Sequence, residues 1–158
     1  MYFSILTTIL IAMTPNLPLS QTILTILGPD EVVIDEYSLS EMDALEQTVF
    51  ETGNPYIDGM STFSGPLLEL IVDKAGYPDP TSGFITLTAL NDYQVKLPIT
   101  DFRSYDVILA TRRDGEEMSL RDKGPIWVIY PMSDNLELQD SVYNRRLVWQ
   151  LKSLQVAE

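Results

Sequence analysis

From residue 84 onward the chain is cut into apolar runs too short to be anything but strands. Phe84–Leu90 alternates, with Ile85, Leu87 and Ala89 on one face. Asn91-Asp92 is a tight-turn pair and Tyr93–Leu97 returns, which predicts a hairpin. Val107–Thr111 and Ile126–Tyr130 are short runs apolar on both faces, so each predicts a buried strand, with Asp114-Gly115 turning the chain between them. Val148–Val156 predicts the last strand, with Trp149 and Leu151 opposite Val148 and Leu154. Beta structure is therefore expected to dominate from residue 84 onward.

The first half is more mixed. Thr22–Leu27 is β-branched and ends at Gly28-Pro29, a first strand. Ser38-Leu39-Ser40-Glu41 is a capping-box pattern, and Leu39, Met42 and Leu45 share one helical face behind it. Val49-Phe50 begins a strand-like stretch, and Gly53, Asn54, Pro55, Asp58 and Gly59 make a loop. Ser64-Gly65-Pro66 predicts the opening of a second helix, buried through Leu67, Leu68, Leu70, Ile71 and Ala75 and stopped by Gly76. The expected class is α+β, rich in mixed β-structure, with two short helices.

What the chain lacks narrows its chemistry. Its 158 residues, one domain in size, contain no cysteine and no histidine. No thiolate is present to hold metal or attack a substrate, and a Ser-His-Asp triad is excluded. Zinc or copper would have to be held by carboxylates alone, which suit them poorly. The net charge is −13, unevenly spread: residues 1–95 hold thirteen acids and one base, Lys74, whereas residues 96–158 hold ten acids and nine bases. Such a chain is a poor binder of nucleic acid. An anionic or carbonyl-rich ligand is expected in the later half.

Met1–Met13 is almost wholly apolar, and the first charged side chain is Asp30. The stretch reads as a signal-peptide core, too short for a transmembrane span. Pro15 and Pro18 follow, and Ser20 is the expected last leader residue. No Lys or Arg precedes the run, and no clean small-x-small site follows it. The reading divides the chain into a leader, 1–20, and one domain, 21–158.

Three segments together resemble one family. Thr62-Phe63-Ser64-Gly65-Pro66-Leu67-Leu68-Glu69-Leu70-Ile71 is similar to the F-x-G-x-x-L-x-x-L-L helix of sulfite-oxidase-type molybdopterin-binding oxidoreductase domains. Ala89–Tyr93 through Pro98, then Asp106–Ala110, resembles that family's hairpin and following strand. Asp114-Gly115-Glu116 through Lys123-Gly124-Pro125-Ile126-Trp127 to Pro131 resembles its n-G-e-p-L and G-x-P-x-R segment, and Val148-Trp149 its closing K-W strand. The order holds from about Thr22 to Val156. The resemblance implies a sulfite-oxidase (SUOX) fold.

Two departures bear on function. The family's molybdenum-ligating cysteine belongs in Thr52–Met60, which has none, and Trp127 replaces its pocket arginine. The chain in these respects resembles small periplasmic pterin-responsive proteins (PruR-type), and this implies an exported, non-enzymatic protein. It would bind a reduced pterin without metal and regulate a membrane-bound cyclic-di-GMP enzyme through that enzyme's periplasmic domain.

A pterin offers a flat ring, a donor pair at its amino and ring N–H groups, and a carbonyl acceptor. Its pocket needs an aromatic plate, a carboxylate, and a cationic or amide donor. Arg121-Asp122-Lys123-Gly124-Pro125-Ile126-Trp127 carries all three types. Trp127 is the candidate plate, with a core role as the alternative. Asp122 is the candidate carboxylate, otherwise a turn residue, and Lys123 the candidate donor, otherwise solvated. Only one of Arg112 and Arg113 can face a pocket by alternation. Arg113 is carried as a ligand candidate, with a surface role as the plainer reading. Arg145 and Arg146 lie near where the family holds the cofactor phosphate; each is expected to touch ligand, pair with Asp140 or face a partner. Tyr143 flanks the pocket, and Tyr56 sits in the loop that replaces the metal loop. Trp149 is expected in the core. Asp58 and Asp92 read as turn residues.

Two other readings stay open: a molybdenum oxidoreductase with Ser61, Ser64 or Asp58 as ligand, and an interaction module without ligand that uses its acidic half as contact face.

Overall fold

The computed structural model describes residues 20–76 and 82–156. The leader segment therefore lies outside the described residues, apart from Ser20. No described helix is long and apolar enough to cross a membrane.

Strand β1 (Thr22–Leu27) turns Leu24 and Ile26 inward. Strand β2 (Val33–Ser38) folds back antiparallel on it. This strand was not expected: Asp35 and Glu36 interrupt its apolar run, because β2 is the edge of its sheet and those side chains are solvated. Helix α1 (Leu39–Ala44) begins at the expected capping box. Ser38 Oγ accepts from Glu41 N at 3.3 Å, and Ser38 N donates to Glu41 Oε2 at 2.8 Å. Those bonds to Ser38 hold the Glu41 carboxyl below its usual value.

Strands β3 (Thr48–Thr52) and β4 (Ser61–Gly65) form an antiparallel pair. Ser64 and Gly65 thus end a strand rather than open a helix, and α2 (Leu68–Lys74) starts after Leu67. The cause is tertiary. Leu109 N donates to Pro66 O and Leu68 N to Val107 O, both at 2.9 Å, so this stretch of backbone serves a sheet pairing.

The hairpin of β5 (Phe84–Ala89) and β6 (Gln94–Pro98) forms as expected, with Asp92 in its turn at φ +66°. Helix α3 (Ile99–Ser104) follows Pro98 and was not foreseen. Next come β7 (Ile108–Ala110), β8 (Arg112–Arg113), β9 (Glu116–Glu117), β10 (Trp127–Ile129), α4 (Ser141–Asn144) and β11 (Leu151–Val156).

Three sheets result. Five strands run in the order β2-β1-β11-β5-β6, four in the order β3-β4-β8-β9, and β10 pairs with β7 alone. The β1–β11 pair is parallel, with Thr25 opposite Ser153; the remaining pairs are antiparallel. The β7–β10 ribbon divides two cores. Leu109 and Val128 point into the larger core with Leu24, Leu87 and Leu154. Ile108, Ala110, Trp127 and Ile129 point into a smaller one with Phe63 and Met118. Burial on both sides is why these two runs are apolar at every position.

The final strand starts later than expected. Gln150 takes φ +52°, its N donates to Lys123 O at 3.0 Å, and regular pairing begins at Leu151. That break ends the alternation assumed from Val148 and reverses the facing of the residue before it.

Candidate functional site

The loop between β3 and β4 lies against α4 and the Val148–Gln150 segment, and the clefts it leaves form the candidate site. Its base is pinned. Gly53 N donates to Ser133 Oγ at 2.9 Å, and Ser133 N donates to Thr52 Oγ1 at 3.1 Å. Asn54 Oδ1 accepts from Tyr56 N at 2.9 Å, an Asx turn that turns the chain at the loop's start. Tyr56 Oη then donates to Asn144 O at 3.1 Å, and its ring meets Trp149 edge-on at 4.9 Å and 74°.

Three small chambers surround this contact. The aromatic chamber, about 280 Å³, is lined by Tyr56, Tyr93, Trp149, Asn91, Asn144 and Arg145, with Ala89, Leu147 and Val148 behind. A polar chamber, about 290 Å³, lies under the loop between Gly53, Asn54, Pro55, Met132, Ser133, Gln139 and Asn144. A basic chamber, also about 290 Å³, holds Arg121 and Lys123 beside Tyr56, Leu120, Trp149 and Gln150. Asn144 borders the first two chambers, and Tyr56 and Trp149 border the first and third. A wider depression of about 570 Å³ lies elsewhere, over the outer face of β1 and β11. No aromatic ring lines it, so we place the site at the loop.

The wall carrying Asn144 and Arg145 is held from behind by a part-buried ion pair. Asp101 Oδ2 accepts from Arg146 Nη1 at 2.6 Å and from Tyr130 Oη at 2.7 Å. The Arg146 guanidinium also lies 4.8 Å from the centre of the Tyr143 ring, which packs on Tyr130 and Tyr105. Burial, then the adjacent Asp101 charge, pushes the Tyr130 phenol well above its usual range. It stays protonated and donates to the carboxylate.

The expected site residues separate into two groups. Tyr56, Arg145 and Lys123 border the chambers. Arg145 has no hydrogen-bond or ion-pair partner for its side chain among the described residues. Lys123, at φ +73°, sets its ammonium 5.3 Å from the Trp127 ring centre and 5.7 Å from that of Trp149. Asp122 is exposed and accepts from Ser119 Oγ at 2.9 Å, as a turn residue does. Arg113 donates to Ser61 Oγ at 3.0 Å on the four-stranded sheet. Arg146 pairs with Asp101 rather than Asp140, and Tyr143 backs it; both support the wall from behind.

Trp127 takes the core position that was its alternative reading, and Trp149, expected in the core, lies partly exposed. Trp127 is wholly buried; its Nε1 donates to Leu147 O at 3.1 Å and its ring packs edge-on against Phe63 at 5.5 Å. It has no open face for stacking, because β10 is covered on both sides. Trp149 is 38% exposed and lines two chambers. The left-handed Gln150 is the reason, and an Asn or Gly there would have been the visible signal. Asn54, Asn91, Tyr93 and Asn144 were also missed; each is a common loop residue whose role comes from its neighbours.

No protein-family model matches the chain, and no curated protein matches it. Among solved structures, the sulfane dehydrogenase SoxCD from Paracoccus pantotrophus is similar, with a TM-score of 0.63 at 15% identity. The match covers 85% of this chain and 37% of that one, so the chain spans little more than a third of SoxCD. That likeness shows the fold: α+β, rich in mixed sheet, similar to the sulfite-oxidase-like fold of SoxCD.

Proposed function

We propose that this protein binds a reduced pterin beside Trp149 and acts as a ligand-responsive regulator rather than a redox enzyme. The observation that carries the reading is the aromatic chamber. Three rings, two side-chain amides and an unpaired arginine converge there, in a fold similar to that of SoxCD. Its volume lies at the small end of ligand sites, which suits one bicyclic ring. Trp149 supplies the stacking face, and Arg145 donates to the ring carbonyl or to a substituent. Amide carbonyls, rather than the expected carboxylate, accept from the ring's donors.

The chamber linings suit an organic ring, and Asp58, Ser61 and Ser64, the alternative molybdenum ligands, line none of the three chambers. Asp58 is exposed at the loop tip, Ser61 Oγ is engaged by Arg113 Nε, and Ser64 is paired in β4 opposite Arg112.

Small molecules released from purified protein by denaturation should include a pterin, identified by mass spectrometry. Trp149→Ala should weaken pterin binding about tenfold or more, since stacking on an aromatic side chain is worth about 1–3 kcal/mol. Trp127→Ala should instead lower stability by about 3–5 kcal/mol, as emptied aromatic core positions do. Equal ligand affinity in the folded Trp149→Ala protein would move the site elsewhere.

The wider reading is an exported protein that reports pterin to the periplasmic domain of a membrane-bound cyclic-di-GMP enzyme. It rests on the apolar Met1–Met13 run and the family resemblance. Its acidic surface suits a basic partner face, so affinity for that domain should fall as salt rises. An affinity unchanged by salt would point to an apolar interface.

A further inference from the structure

In a chain of net charge −13, a cation without a nearby acid is the exception. Five of the ten basic side chains are in ion pairs: Arg103, Arg112, Arg113, Arg146 and Lys152. Three of the others, Arg121, Lys123 and Arg145, border the Tyr56–Trp149 contact. Arg121 and Lys123 share the basic chamber, and neither side chain has a hydrogen-bond or ion-pair partner among the described residues. Asp122, between them in sequence, is bonded to Ser119 Oγ and does not line the chamber. No other carboxylate lines it either. Two like charges beside one cleft repel each other, and this acidic protein supplies no counter-charge there.

The chamber is also braced. Lys123 and Gln150 both take the left-handed backbone, at φ +73° and +52°. They are bonded to each other, Gln150 N donating to Lys123 O at 3.0 Å, and Gln150 Nε2 donates to Leu120 O at 2.7 Å. These bonds clamp the 120–123 turn against the Trp149–Gln150 segment. Asp92 and Asp114 also take positive φ, but aspartate enters that region readily; lysine and glutamine do not. Strained backbone of this kind persists only where its surroundings enforce it, and it gathers at ligand-binding segments.

We propose that the basic chamber is an anion subsite: Arg121 and Lys123 hold an anionic side group, a carboxylate or a phosphate, of the ligand whose ring lies against Trp149. This rests on the pterin reading above and sharpens it, by giving the ring a charged substituent and that substituent a place. Tyr56 and Trp149 line both chambers, so a ring beside Trp149 reaches the basic chamber with a short side group. The subsite is separate from Arg145, which does not line it. The guanidinium fork of an arginine matches a carboxylate or phosphate edge, and a lysine ammonium adds a point charge. The Lys123 ammonium is already steadied over the Trp127 and Trp149 rings, so less side-chain freedom is lost when the anion arrives.

The test uses the full chain, freed of ligand and titrated calorimetrically at low salt. Three probes are compared: a reduced pterin with a hydroxymethyl side chain, its phosphate ester, and the same ring with a carboxylate side chain. The parent should bind at least one anionic probe about tenfold more tightly than the hydroxymethyl probe, and the one it prefers names the group. Arg121→Gln and Lys123→Gln should each cut that preference severalfold, and together remove it. Lys74→Gln changes the net charge as much as either, but Lys74 lies on α2 and lines none of the chambers, so the preference should survive. Circular dichroism verifies each fold. If Lys123→Gln does not fold, Lys123→Gly takes its place, since glycine adopts the left-handed backbone without strain. If the parent binds all three probes alike, if the folded double variant keeps the preference, or if Lys74→Gln loses as much of it as the single variants, the subsite is overturned while the pterin reading stands. If none of the three binds the parent, the pterin reading fails and the assignment fails with it.

Discussion

Asp101→Ala should lower stability by about 3 kcal/mol, the low end of the loss when one partner of a buried ion pair is removed, because Arg146 is only part-buried. The carboxylate is nearly closed off from water, with 8% of its side-chain surface exposed, and Arg146 shows 17%. Without Asp101, the buried Tyr130 hydroxyl and a part-buried guanidinium are both left unpaired. Urea unfolding at neutral pH measures the effect. Asp101→Ala with Arg146→Met should lose less than Asp101→Ala alone, since no charge is then stranded. The pair also joins α3 to the segment after α4, so affinity for the proposed pterin should fall in Asp101→Ala even where the protein remains folded. A loss below about 1 kcal/mol would mean that Arg146 reaches solvent once released, and that the wall behind Asn144 does not depend on it.

Gly65→Ala should be of similar size, about 3 kcal/mol or more, for a different reason. A Cβ at Gly65 would overlap the backbone carbonyl of Leu109, which has no freedom to yield inside the β7–β10 ribbon. Gly59→Ala is the informative contrast. Nothing lies within 4 Å of a Cβ there, and only its φ of +70° resists substitution. It should lose about 1–2 kcal/mol, the ordinary penalty for a side chain in the left-handed region. Thermal unfolding of both variants separates backbone collision from backbone strain. Equal losses would contradict the close approach of β4 to β7.

The Gly65 contact also shows what the sequence can convey and what it cannot. Phe63, Gly65, Leu68 and Ile71 are spaced as in the family helix, and that spacing led to the right fold. The physical content of the spacing proved different: Phe63 and Gly65 belong to a strand pressed against β7, and only Leu68 and Ile71 to the helix. Hairpins and caps were legible because they depend on adjacent residues, as at Ser38–Glu41 and Asn91–Asp92. Strand β2 and helix α3 were not, since both gain their stability from distant neighbours. The site was legible in part. Tyr56, Lys123 and Arg145 follow from the region of resemblance. The exposure of Trp149 depends on one positive φ at Gln150, a residue type that gives no warning of it. Asn54 and Asn144 lie ninety residues apart in sequence, and only tertiary folding makes them neighbours of one chamber.

The parallel pairing of β1 with β11 has a bearing on how the molecule comes into being. In the five-stranded sheet, β11 separates two hairpins, β1–β2 and β5–β6, that share no other neighbour. Of the described elements it is also the last to leave the ribosome. Until it arrives, each hairpin is a two-stranded ribbon with both edges open, barely stable in water and ready to pair with a neighbouring chain. Non-local closure of this kind is slow. The two hairpins thus stay unjoined until β11 arrives, and over that interval their open edges are where the nascent chain is exposed to wrong pairing.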